Sequence, residues 1–125
     1  MTEMRPHPRQ VRHSVAALLL GAGLAGPASA AEAFQRLTGP QMRARVAGQE
    51  ITDAVHWAYV FEPQGRLRAV AMGRARSGTW RVERDELCLD ATPCVQVWMA
   101  GARVELRRNG ALPEEGVLQA PQRRP

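Results

Sequence analysis

Cys88 and Cys94 carry the most definite chemistry in this chain. They are its two cysteines, with five residues between them, in Glu86-Leu87-Cys88-Leu89-Asp90 and Cys94-Val95-Gln96-Val97. Two thiols can form a disulfide, share a metal or cycle redox equivalents. A redox pair needs closer C-x-x-C spacing to depress one thiol pKa. A structural zinc site needs four nitrogen or sulfur ligands, and His56 is the one further histidine nearby. A structural disulfide remains. Leu87 and Leu89 alternate with Cys88, and Val95 and Val97 with Cys94. Two strands joined by the Pro93 loop would therefore put both sulfurs on one face. Closing so short a loop contributes about 2–2.5 kcal/mol.

Other polar groupings are weaker. Asp53 and His56 lie in Ile51-Thr52-Asp53-Ala54-Val55-His56-Trp57, where they form either an acid–base pair or a polar loop ahead of a strand. No nucleophile accompanies them, so the chain is read as a non-enzyme. Asp85-Glu86 and Glu114-Glu115 fall at turns, where charge is solvated. No phosphate-cradling glycine motif occurs. The arginines form two groups. Arg66, Arg68, Arg74, Arg76 and Arg81 surround one connection, and Arg103, Arg107 and Arg108 lie further on. Arg66, Arg68 and Arg81 could line one sheet face and hold a phosphate or carboxylate bidentately. Equally, Glu62, Glu83 and Glu105 could neutralise this surface across the strands.

The N-terminus bears on where this chemistry takes place. Arg5, Arg9 and Arg12 precede an apolar stretch from Val15 to Leu24, followed by Ala28-Ser29-Ala30. Basic head, short apolar centre and small-x-small end are the parts of a secretory signal peptide. Residues 1–30 are therefore read as an address, cleaved after Ala30, with export to a periplasmic or extracellular space. The apolar run is too short to span a bilayer comfortably, so no membrane span is expected after cleavage. Removal of Arg5, Arg9, Arg12 and Glu3 leaves about 95 residues and lowers the net charge from +5 to about +3. An exported domain of that charge is not a nucleic-acid module. An unidentified protein or an anionic envelope component is the expected partner. No cofactor or metal is expected.

Elements that could position these residues follow from periodicity. Thr38 and Gln41 make a capping box, Pro40 suits a first helical turn, and Gly48 a stop. A short helix is expected over about residues 39–47. Beyond it the period falls to two. Trp57, Tyr59 and Phe61 alternate before Pro63-Gln64-Gly65. Leu67, Ala69 and Ala71 alternate with Arg66 and Arg68. Residues 73–78 read as a connection. Trp80 and Val82 face one way, and Arg84-Asp85 turns the chain. Val104 and Leu106 alternate with Arg103, Glu105 and Arg107, Asn109-Gly110 turns again, and a last strand covers residues 116–120. Seven to eight short antiparallel strands with one N-terminal helix suggest a mainly β meander, curled into a small barrel or half-barrel. Residues 31–120 form a single domain, and residues 121–125 a frayed tail. Trp98 shares the phase of Cys94. If Val95, Val97 and Met99 point inward, Trp98 covers the disulfide outside or offers a contact.

The run Leu37-Thr38-Gly39, the Phe61–Gly65 turn, Gly78-Thr79-Trp80-Arg81-Val82-Glu83, Leu87-Cys88 and Cys94-Val95-Gln96-Val97-Trp98 resembles small exported bacterial proteins of unknown function, of the DUF995-like kind. That resemblance covers most of residues 34–120. It implies export and a small β-rich domain, with no activity or functional residues to carry over. A fainter likeness is to barrel-form bacterial metalloprotease inhibitors, whose cysteine spacing differs. The expectation is an exported binding protein, with Arg66, Arg68, Arg81 and Trp98 as candidate contacts. Alternatives are a small-ligand carrier using the barrel interior and a secreted protease inhibitor.

Overall fold

A computed structural model describes residues 3–4 and 33–123. The proposed signal peptide falls almost wholly outside the described residues, as do the last two residues of the tail. The helix α1 runs Gly39–Val46. Its Thr38 side chain accepts from the Gln41 N–H, and the Gln41 side chain accepts from the Thr38 N–H at 2.9 Å, so the capping box is complete. Met42 and Val46 are fully buried on its inner side, with Leu37 beside them.

Nine strands are present among the described residues: β1 Gln35–Arg36, β2 Glu50–Thr52, β3 Trp57–Glu62, β4 Arg66–Ala71, β5 Arg74–Glu83, β6 Glu86–Leu89, β7 Gln96–Ala100, β8 Arg103–Arg107 and β9 Glu114–Gln119. The fold is mainly β with one short helix, as expected, but has more strands than the seven to eight read from periodicity. The surplus lies in pieces too short to show a period, above all the two-residue β1. All pairings are antiparallel, in the order β1-β7-β8-β9-β2-β3-β4-β5-β6. The sheet curls until its far end meets its start. Leu87 of β6 and Val95, just before β7, exchange both backbone hydrogen bonds at 2.8 Å.

Two sequence expectations are corrected here. Residues 73–78 are not a connection. The turn is Met72-Gly73 alone, with φ of 53° and 75°, the left-handed pair that suits a twisted two-residue hairpin. Arg74–Glu83 is then one ten-residue strand. Gly78 belongs inside it because a Cβ there would lie 2.2 Å from Asp90 Oδ1. Likewise, the cysteine arms do not form a full hairpin. Their pairing is the single Leu87–Val95 bridge.

The inward phase of each strand supplies the core. Ile51, Phe61, Leu67, Ala69, Leu87, Val95, Val97, Met99, Val104 and Leu106 join Leu37, Met42 and Val46 in one buried cluster. Phe61 meets the edge of Trp80 with ring centroids 5.6 Å apart. Helix α1 closes one end over β5. The Gly39 N–H donates to Asp85 Oδ1 at 2.8 Å, and the Arg36 guanidinium donates to the Asp85 carbonyl. A Cβ on Gly39 would lie 2.3 Å from the Arg84 carbonyl oxygen, so the helix start and the β5–β6 turn touch backbone to backbone.

Candidate functional site

Inward side chains fill the space the sheet encloses, which leaves the exterior and the rims as places for a ligand. The most prominent exterior feature is the β4–β5 hairpin. Its turn residue Met72 is 81% exposed, and Arg74 to Ser77 are all exposed. Pairing of Arg66 with Thr79 and Arg68 with Ser77 sets Arg66, Arg68, Ser77, Thr79 and Arg81 on one outer face. Thus the sequence-derived arginines share a face. They are not unpaired, however. Glu62 Oε1 accepts from Arg68 Nε at 2.6 Å, and Glu62 Oε2 lies 3.8 Å from Arg66 Nε. Arg81 Nε donates to Glu83 Oε1 at 2.8 Å. More than half of the Arg66, Arg68 and Arg81 side-chain surface is still exposed. Each guanidinium therefore keeps donors for a ligand while its charge is part-balanced.

The opposite face of the hairpin carries Arg74 and Arg76. Arg76 pairs with Asp90, whose other carboxylate oxygen accepts the Thr79 N–H at 2.8 Å. These donors, the Thr79 amide first and then Arg76, hold the Asp90 carboxyl below its ordinary range, against a smaller opposing effect of desolvation. Arg74 has no ion pair among the described residues. A groove of about 520 Å³ follows the hairpin, lined by Val60, Arg68, Val70, Ala75 and Ser77 among others.

Trp98 faces outward, as the inward burial of Val95, Val97 and Met99 requires. Its ring is taken by Arg107, whose guanidinium carbon lies 4.1 Å from the ring centroid, and its Nε1 donates to Gln96 Oε1 at 2.9 Å. Arg107 also binds Glu105 at 2.7 Å. Trp98 is therefore stacked within the β7–β8 surface and not brought to Arg66, Arg68 and Arg81. The second arginine group contributes to packing too, for Arg103 lies 5.2 Å from the Phe34 ring centroid.

Asp53 and His56 meet, with Nδ1 and Oδ2 2.9 Å apart. Asp53 Oδ1 meanwhile accepts the N–H groups of Val55, His56 and Trp57. Desolvation pushes the Asp53 carboxyl up. The Trp57, Val55 and His56 amides with the His56 ring outweigh it and hold the carboxyl well below the ordinary range. A carboxylate so occupied closes its loop and is a poor proton acceptor. Tyr59, half-buried and 5.1 Å from Trp57 between ring centroids, has its phenol pKa raised by desolvation and then by Glu114.

Cys88 and Cys94 form the disulfide. They stand opposite one another next to the Leu87–Val95 pair, with Cα atoms 4.2 Å apart, the close spacing of a non-hydrogen-bonded antiparallel pair. Glu83 Oε2 lies 3.9 Å from the Cys88 sulfur, but two bonded sulfurs have no thiolate to offer a metal. No helix among the described residues is long and apolar enough to cross a membrane.

Sequence reasoning missed the role of Asp90. Its signal was the Gly78–Thr79 step, where a glycine inside an alternating strand marks a close approach.

No family model matches the chain, no curated protein matches it in sequence, and no solved structure matches its fold.

Proposed function

We propose that this chain is an exported, non-enzymatic binding protein. Its ligand is a protein or an anionic envelope component, engaged through the β4–β5 hairpin. The observation that carries this reading is the hairpin itself. It projects Arg66, Arg68, Arg74 and Arg76 with Met72 at its tip, while the interior is filled by side chains. A filled interior favours a surface over a cargo cavity. The occupied state of Asp53 favours binding over proton transfer. An intramolecular disulfide is compatible with an oxidising, exported location. Kinship with DUF995-like exported proteins is part of the same proposal.

The test has two arms. Mass spectrometry of protein recovered outside the cytoplasm is expected to find a chain beginning at Ala31 with one disulfide. A start before Ala31 or two free thiols would sink the export reading. Crosslinking of the mature protein in its own compartment is expected to trap a ligand that an Arg66→Ala, Arg68→Ala, Arg74→Ala variant loses at least tenfold. Trapping unchanged in that variant would remove the hairpin from the function.

A further inference from the structure

Strand β5 is paired on one side at a time: its first six residues with β4 and its last four with β6. On one edge Arg74 to Thr79 pair with β4. On the other, Trp80 to Glu83 pair with β6, and the Asp90 N–H extends the ladder by donating to the Thr79 carbonyl at 2.9 Å. There it stops, because the Thr92 N–H turns back to the Leu89 carbonyl and leads the chain away. The Thr79 N–H and carbonyl both point away from β4, towards Asp90. By the two-residue period of a strand, those of Ser77 and Ala75 point the same way. Among the described residues nothing pairs with them. An extended, exposed strand thus presents an open ladder edge.

We infer that this edge accepts an extended acidic segment of a partner protein as an added strand, continuing the line of β6. The inference rests on the binding-protein reading above and names its partner chemistry. Two features of the edge select the occupant. Side chains of an added strand opposite Arg74 and Arg76 would lie on the same face as those two arginines, and opposite charges in that register are favourable. Those opposite Ala75 and Ser77 would lie over the groove that Arg68 and Ser77 line together with Val60, Val70 and Ala75, whose aliphatic wall suits small apolar residues. The segment is therefore acidic at alternate positions and apolar between. Asp90, opposite Thr79 and so in the Ser77 register, already sets one carboxylate on this edge, where it accepts the Thr79 N–H and reaches across to Arg76. A second copy of this chain is the wrong occupant. Antiparallel pairing of two such edges sets arginine against arginine, and charged edge strands resist self-association for that reason.

The probe is a synthetic peptide with alternating Val and Glu, titrated against the mature protein, beside Val–Gln and Val–Lys peptides of equal length. The Val–Glu peptide is expected to bind at least tenfold more tightly than Val–Gln and to slow amide exchange at Ala75 and Ser77. Ser77→Pro removes an edge N–H that faces solvent, a position where an edge strand tolerates proline, and is expected to weaken binding at least tenfold. Backbone N-methylation of the peptide on its pairing edge should have the same effect and leaves the protein untouched. Equal affinity for Val–Glu and Val–Gln would overturn the inference, as would unchanged exchange at Ala75 and Ser77. Self-association that protects the same amides would assign the edge to a second copy and also overturn it. If hairpin-dependent crosslinking succeeds and the peptide does not bind, the strand-addition inference fails alone. If no ligand is trapped through the hairpin, the broader reading fails.

Discussion

The disulfide lies at the weakest joint of the sheet, which makes its removal an incisive perturbation. A Cys88→Ala, Cys94→Ala double variant eliminates the crosslink without burying a hydroxyl at the fully buried Cys88 position. The two cysteines are six positions apart. For a loop of about seven residues, the lost chain-closure entropy corresponds to about 2.4 kcal/mol at 25 °C. For a domain of this size that is a fall in Tm of roughly 10–20 °C. The loss should not be uniform. The two mutual 2.8 Å hydrogen bonds of Leu87 and Val95 are the backbone tie between β6 and the start of β7. Chemical denaturation measures the total, and native-state hydrogen exchange measures its distribution. The Leu87 and Val95 amides are expected to lose protection before those of β3 and β4. A loss below about 1 kcal/mol, well short of the loop-closure value, would refute the reasoning. So would equal loss of protection at β3, because the crosslink would then not be what holds the joint.

Three further outcomes follow from packing and charge. Gly39→Ala forces a Cβ against the Arg84 carbonyl and is expected to cost about 1–3 kcal/mol by denaturant unfolding. Phe61→Ala empties the centre of the core and should cost about 3–5 kcal/mol, enough to leave a small domain partly unfolded by circular dichroism. Asp90→Asn weakens the contacts to Thr79 and Arg76 and should cost about 1 kcal/mol at neutral pH. Because the folded-state pKa of Asp90 is depressed, its contribution is complete above the ordinary carboxylate range and is lost as pH falls through the folded value. The stability gap between wild type and Asp90→Asn should therefore close in acid, and a gap that widened there would contradict the assignment.

The legible parts of this fold were those written in local chemistry. Thr38, Pro40 and Gln41 specify the helix start through their own side chains and backbone. Cys88 and Cys94 are close enough in sequence for alternation to put their sulfurs together. Arg66, Arg68 and Arg81 share one face as alternation suggested, because a two-residue period needs no tertiary information. What was illegible depends on distant partners. Nothing in Gln35-Arg36 signals a strand until Met99 and Trp98 lie beside it. Residues 73–78 lack apolar alternation and contain two glycines, so they resemble a loop. Residues 74–78 become strand because β4 pairs with each of them and the Asp90 carboxylate needs the space at Gly78. The stacking of Arg107 on Trp98 was hidden for the same reason, since it crosses from β8 to β7.

The pairing of β2 with β9 sets the order in which this domain can be completed. Ile51 lies opposite Leu118, and Gln119 donates to the buried Glu50 at 2.9 Å. A ribosome that has released the chain only as far as Asn109 has delivered most of the inward-facing side chains but not this partner. Until residues 114–119 emerge, β2 and β8 each keep an open side, and the curled sheet has a gap one strand wide. Completion of the sheet thus waits for residues 114–119. A chain truncated before Glu114 would carry two adhesive edges where β9 otherwise pairs with both β2 and β8.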